Sequence, residues 1–213
     1  MQILNNYINI KKEIETLNSK TNFIVVSKNQ NLEKIQEIIN NGHVHFGENR
    51  VQEALEKWST CLQEYPHIQL HMIGKLQSNK AKDAIKIFNY VHSLDNEKLA
   101  NTLAKLEIQS QKKINYFIQV NIGQEKQKNG VEISIVKEFS NYCISDLKLN
   151  VLGLMCIPPL NNKTLFYFDK LKNLNDQLNF KNLSMGMSND FKLAIQCGAN
   201  YVRVGSAIFN FKN

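Results

Sequence analysis

The sequence has no apolar run approaching the roughly 20 residues that a membrane-spanning helix requires, and its N-terminus carries no apolar signal core, so a cytoplasmic protein is expected. Cysteine is sparse. Cys61, Cys143, Cys156 and Cys197 stand far apart with no CxxC pair, which argues against a disulfide framework or a zinc site and predicts reduced, buried thiols. Arginine is scarcer still: of 26 basic residues only Arg50 and Arg203 are arginines, so lysine serves where plain charge suffices and a guanidinium is expected to be used for its shape. No Pro/Gly/Ser linker or low-complexity stretch divides the chain, and one domain over 1–213 is expected. The net charge of +7 is spread over scattered lysines. With no basic arm and no aromatic RNA-binding strand, nucleic acid is not an expected partner, and the basic surface reads as a mild preference for anionic small molecules.

What is present is a repeated alternation. Ile3, Tyr7, Ile10, Ile14 and Leu17 form one stripe on an amphipathic helix over residues 1–20. Strands are then predicted at FIVVSK, HVHFG, IQLHMIG, YVHSL, YFIQVNI, NVLGLMCI, NLSMG and YVRVG. Helical patterns such as LEKIQEIINNG, EKLANTLAKLEIQSQ and TLFYFDKLKNLNDQLN fall between them. Strand, helix, strand, repeated, is the signature of a parallel α/β fold. Eight such strands favour a single-domain (β/α)8 TIM barrel, with a doubly wound sheet as the alternative.

Barrel chemistry sits where strands end. In FIVVSK, Lys28 falls on the same face as Ile24 and Val26, so it is expected to share that face with core residues and lose its proton more easily than a free lysine, the plain alternative being a lysine just past the strand that reaches into water. Near the last two strands lie Ser184, Gly186, Ser188, Gly205 and Ser206, the small or hydroxylated residues a phosphate site uses. Taken singly, each group reads as a cap or turn sooner than as a phosphate cradle. Ser188 is also expected to N-cap a helix through Phe191, Ala194 and Ile195 that ends at Gly198. Arg203, mid-strand in YVRVG, needs acceptors, which an ion pair or a ligand could supply. An amine, a guanidinium and a phosphate site together describe pyridoxal 5'-phosphate. His43 and His45 are expected to share a strand face, where packing is favoured over metal binding because no third ligand is apparent. GKLQSNK lacks P-loop spacing, and its Lys75 and Lys80 are expected near the barrel mouth.

The segments VVSKNQ, HFGENRVQE, HMIGKLQSNK, VHSLD, GQEKQKNGV, GLMCIPP, LSMGMSNDFKLAI and GANYVRVGSAIF, in this order, closely resemble the YggS/PROSC family of pyridoxal phosphate homeostasis proteins. The resemblance implies a barrel like the N-terminal domain of alanine racemase. It further implies that Lys28 carries the Schiff base, that Arg203 faces the pyridine nitrogen, that Ser184, Ser188, Gly205 and Ser206 lie on the phosphate side, and that Asn49 and Met155 line the pocket. Asn29 and Met72 depart from the family's usual threonine and aromatic.

An always-charged arginine at the ring nitrogen disfavours the protonated pyridine that best serves as an electron sink. The sequence also ends seven residues after Ser206, so no second domain is expected to supply another base. The expectation is therefore a non-catalytic, monomeric carrier that buffers pyridoxal phosphate and delivers it to apo-enzymes. A barrel-only amino acid racemase is the alternative, and a regulatory adaptor stays open. Arg50 has no derived role.

Overall fold

The structure, a computed structural model, describes residues 2–125 and 127–210; Met1 and residues 211–213 of the expected domain lie outside the described residues. Strands β1 (Asn22–Val26), β2 (His45–Glu48), β3 (Gln69–Met72), β4 (Tyr90–Leu94), β5 (Asn115–Gln119), β6 (Asn150–Met155), β7 (Asn182–Met187) and β8 (Tyr201–Val204) run parallel in sequence order around a closed barrel. Closure is direct, with Asn22, Phe23 and Ile24 of β1 opposite Tyr201, Val202 and Arg203 of β8. It removes the doubly wound alternative, which would leave two open sheet edges.

Helices cover the outside: α1 (Gln2–Asn18), α2 (Leu32–Asn40), α3 (Val51–Trp58), α4 (Cys61–Glu64), α5 (Ala81–Ile87), α6 (Glu97–Ser110), α7 (Val136–Asn141), α8 (Thr164–Gln177), α9 (Phe191–Gln196) and α10 (Ser206–Phe209). The stripe on α1 buries Tyr7, Ile10 and Ile14, while Leu17 at its end is 39 % exposed. Asn31 and Asn96 cap α2 and α6 by accepting the amides of Lys34 and Leu99, which satisfies donors the first turn cannot pair internally.

Alternation along each strand divides two environments. Outward residues such as Phe23, Val25, Phe46, Leu70, Val91, Ile118, Leu154 and Val202 join one continuous apolar core with the helices. Inside the barrel, among the described residues, Ile24, Phe117, Met155 and Tyr201 form a small apolar cluster with Tyr90 and Leu152 packed against it. The rest of that interior holds His45, His71, His92, Ser184 and Arg203, linked by hydrogen bonds. Barrel interiors of this kind are usually filled by layers of branched aliphatic side chains, so a polar one marks a departure. All four cysteines are buried and unpaired, as expected.

Two expectations need correction. β1 ends at Val26, not at Lys28, and Lys28 is exposed in the following turn. β2 begins at His45, so His43 precedes the strand and the two histidines do not share a face. His43 packs outside the barrel against Tyr7, Phe23 and Phe46, whereas His45 turns inward to His71.

Candidate functional site

The strand ends open into a cavity of about 560 Å3. Lys28, Asn49, Ser188, Arg203, Gly205 and Ser206 all line it, although they come from four different strand ends. Met155 and Ser184 do not; both are fully buried beneath its floor. The alternation read from β1 holds in direction: Ile24 is inside the barrel, Val26 is in the cavity wall, and Lys28 stands at the rim. A larger hollow of about 1080 Å3 lies on the flank, walled by Asp95, Glu97, Glu132, Glu138 and Asp146, and neither Lys28 nor Arg203 reaches it.

The turn carrying Lys28 is tied down from below. Glu48 is completely buried, and its Oε1 accepts hydrogen bonds from Ser27 Oγ at 2.7 Å, Lys57 Nζ at 2.9 Å and Trp58 Nε1 at 3.0 Å. Lys57 also donates to the Ser27 carbonyl at 2.7 Å and to Glu53 at 3.0 Å, and Glu53 accepts the Asn29 amide at 2.5 Å. Asn29 itself has φ +58, a left-handed conformation that asparagine adopts more readily than most residues. Glu48 and Lys57 fix the main chain on either side of Lys28 while leaving its amine free to face the cavity.

Arg203 forms the opposite wall. It is 4 % exposed, donates from Nη1 to Ser184 Oγ at 2.6 Å and from Nη2 to the Cys156 carbonyl at 3.0 Å, and makes no ion pair among the described residues. Burial lowers its pKa, and the nearby Asp190 carboxylate acts in the other direction. Burial also pushes the Cys156 thiol up to about 12, so that thiol is neutral and supplies no counter-charge. A buried guanidinium held only by neutral acceptors, with N–H groups to spare, is suited to an electron-rich or anionic ligand atom.

The expected cap at Ser188 is a further correction. Asp190 occupies the N-cap position of α9, and its carboxylate accepts the Met187 amide at 2.6 Å. Ser188 Oγ instead accepts the amides of Gly205 and Ala207, both at 3.3 Å. The hydroxyl thus bridges the ends of β7 and β8, on the side where Ser206 lies. The helix does end at Gly198, with φ +92. Of the two lysines expected at the mouth, Lys75 lines the cavity and donates to Asn129 at 2.7 Å, while Lys80 is exposed elsewhere. Gln119 and Asp190 also line it and were not singled out from sequence: Gln119 falls in the middle of the predicted strand YFIQVNI and Asp190 in the first turn of the helix expected from Ser188, and no motif marks either. Arg50 is exposed beside Glu53 and Glu56 in an adjoining cleft. No cluster of three metal-ligating residues occurs among the described residues.

The sequence matches the family of the alanine racemase N-terminal domain over residues 2–212. A pyridoxal phosphate homeostasis protein of Aquifex aeolicus is 40 % identical over 186 residues, spanning 83 % of this chain and 81 % of that protein. Another from Haemophilus influenzae is 32 % identical over 230 residues, spanning 100 % of this chain and 97 % of its own. Among solved structures, PipY of Synechococcus elongatus, with and without PLP bound, superposes with a TM-score of 0.84 at 32 % identity, over 94 % of this chain and 100 % of PipY. Alanine racemase of Corynebacterium glutamicum, 15 % identical with a TM-score of 0.73, shares the fold over 61 % of its length.

Proposed function

Because the chain belongs to the alanine racemase N-terminal-domain family, and within it to the pyridoxal phosphate homeostasis proteins, we propose that it binds pyridoxal 5'-phosphate in the strand-end cavity and maintains the supply of that cofactor without turning over amino acids. The observation that carries the reading is the placing of Lys28 and the unpaired, buried Arg203 on one cavity. Bound there, the cofactor would supply an aldehyde able to condense reversibly with an amine. Lys28 is the amine for that condensation. Arg203, permanently charged, would face the ring nitrogen and disfavour its protonation, which would limit use of the ring as an electron sink. Ser188, Gly205 and Ser206 would hold the phosphate, at the place where Ser188 Oγ accepts the amides of Gly205 and Ala207. Asn49 lines the same cavity. Met155 and Ser184 act from beneath, the first as apolar packing and the second by holding Arg203.

The buried, unpaired thiols support a reducing compartment, the cytoplasm, and the role is that of a monomeric carrier handing cofactor to apo-enzymes. Protein saturated with pyridoxal phosphate should show a visible absorption band that Lys28→Ala lacks. Incubated with single amino acid enantiomers in deuterated water, it should leave the α-protons in place over many equivalents while restoring activity to an unrelated apo-enzyme. Sustained, Lys28-dependent α-proton exchange would instead establish a barrel-only racemase.

A further inference from the structure

The polar interior of the barrel is a single file. Arg203 Nη1 donates to Ser184 Oγ at 2.6 Å; Ser184 Oγ meets His92 Nδ1 at 2.8 Å; His92 Nε2 meets His71 Nδ1 at 2.9 Å; and His71 Nε2 meets His45 Nδ1 at 2.9 Å. The file starts at the guanidinium in the cavity wall and ends at the first residue of β2, where half-buried His45 makes no other side-chain hydrogen bond among the described residues. Ser184, His92 and His71 are each at most 1 % exposed, and none of the three histidines lines the cavity. The aromatic rings of Tyr90, Tyr201 and Phe117 enclose the file, with Tyr90 stacked on His71 at 4.2 Å and Phe117 on His92 at 4.5 Å.

We infer that His92, His71 and His45 form a polarised hydrogen-bond relay that holds Ser184 as an acceptor for Arg203 and takes the place of a counter-ion for it. The polarity follows from counting donors. A guanidinium only donates, so Ser184 Oγ accepts from it. The serine's own proton then has one acceptor within reach among the described residues, His92 Nδ1. That obliges His92 to carry its proton on Nε2 and give it to His71 Nδ1, and His71 to do the same to His45. All three rings are therefore neutral Nε2–H tautomers. The opposite polarity would strand the Ser184 proton in a fully buried site, a penalty no other group offsets. Neutrality has a physical cause as well: burial and neighbouring charges, including Arg203 beside His92, depress the pKa of His71 and His92 well below the histidine range, and burial lowers His45. Aligned this way, every acceptor end points toward the cation, and each bond polarises the next. The histidines are positioning residues for Arg203, acting through Ser184.

The test is spectroscopic first. Long-range proton–nitrogen correlation of the 15N-histidine-labelled protein near pH 7.5 should show His45, His71 and His92 as neutral Nε2–H tautomers. A charged ring, or an Nδ1–H tautomer at any of the three, would overturn the relay. Substitution at the far end then separates relay from packing. His45→Asn keeps an acceptor at the place of Nδ1, whereas His45→Phe keeps the aromatic volume and removes the acceptor. The relay requires pyridoxal phosphate to bind about fivefold more weakly to His45→Phe than to His45→Asn, with the asparagine variant near wild type. Packing alone requires the reverse order, and that order would refute the proposal. The binding arm rests on the proposed ligand; if wild-type protein binds none, that reading fails while the tautomers still decide the relay.

Discussion

Glu48 has one carboxylate oxygen facing three donors and another that is buried without a partner among the described residues. Such an arrangement holds only while the charge of Lys57, whose side chain is 8 % exposed, stays beside it. Glu48→Gln keeps a carbonyl for some of the donors but leaves the Lys57 ammonium without its buried partner. It should cost about 3 kcal/mol in urea unfolding, because breaking one side of a buried pair is far more expensive than the pair's net worth. Glu53→Gln, at a side chain 23 % exposed, should cost under about 1 kcal/mol. If the two variants unfold alike, Glu48 does not anchor the Lys28 turn. This network was hidden in the sequence for a plain reason. The motif HFGEN drew attention to Asn49 at the strand end, but the partners of Glu48 are Ser27 past the end of β1 and Lys57 and Trp58 on α3, and it takes the pairing of β1 with β2 and the folding of α3 back against β2 to bring them together. Lys28 and Arg203, by contrast, stood out because an amine directly after an apolar strand and a guanidinium within one are both chemically out of place.

At the level of elements, the eight strands could be read because apolar runs bounded by turn residues recur between helical patterns, and their order follows from parallel winding. Their ends were less legible. The expected extension of β1 to Lys28 and of β2 back to His43 continued an alternation that the backbone abandons at a turn. Nor does alternation reveal how closely two strands approach. In β6, a Cβ at Gly153 would lie 1.8 Å from the Asn182 carbonyl of β7, which is backbone and cannot move without separating the strands. At Gly42 the same addition meets nothing within 4 Å, and only its φ of +76 is unfavourable. Gly42→Ala should therefore cost about 1 kcal/mol, the usual penalty of a side chain in the left-handed region. Gly153→Ala should cost well over 3 kcal/mol or prevent folding, as overpacking against rigid backbone does. Thermal melts of the two variants decide the matter, and a Gly153→Ala melt close to that of Gly42→Ala would mean that β6 and β7 are not held at this spacing.

Across the whole molecule, most of the histidine is buried in the neutral form, and this sets the acid stability. Burial lowers the pKa of His43 to about 3, its ring lying between a Tyr7 hydroxyl that donates to Nδ1 and a His45 carbonyl that accepts from Nε2. His71 and His92 are also depressed, first by burial. Released on unfolding, each ring would return to an ordinary value near 6.5. Between the folded and unfolded pKa values the unfolded chain binds more protons, so stability rises with pH through that window. It is fully present above about 6.5 and declines as pH falls below it. Each such ring contributes a slope of up to about 1.4 kcal/mol per pH unit, so the three together give up to about 4. Urea midpoints measured from pH 7.5 to 5 should therefore fall steeply below 6.5 and be nearly flat above it. His67→Gln, at an exposed position, should leave that slope unchanged, whereas His43→Gln should flatten it whatever it does to the midpoint at pH 7.5. A flat profile down to pH 5 in the wild type would mean that these rings are protonated within the fold, which is incompatible with the hydrogen bonds that hold them.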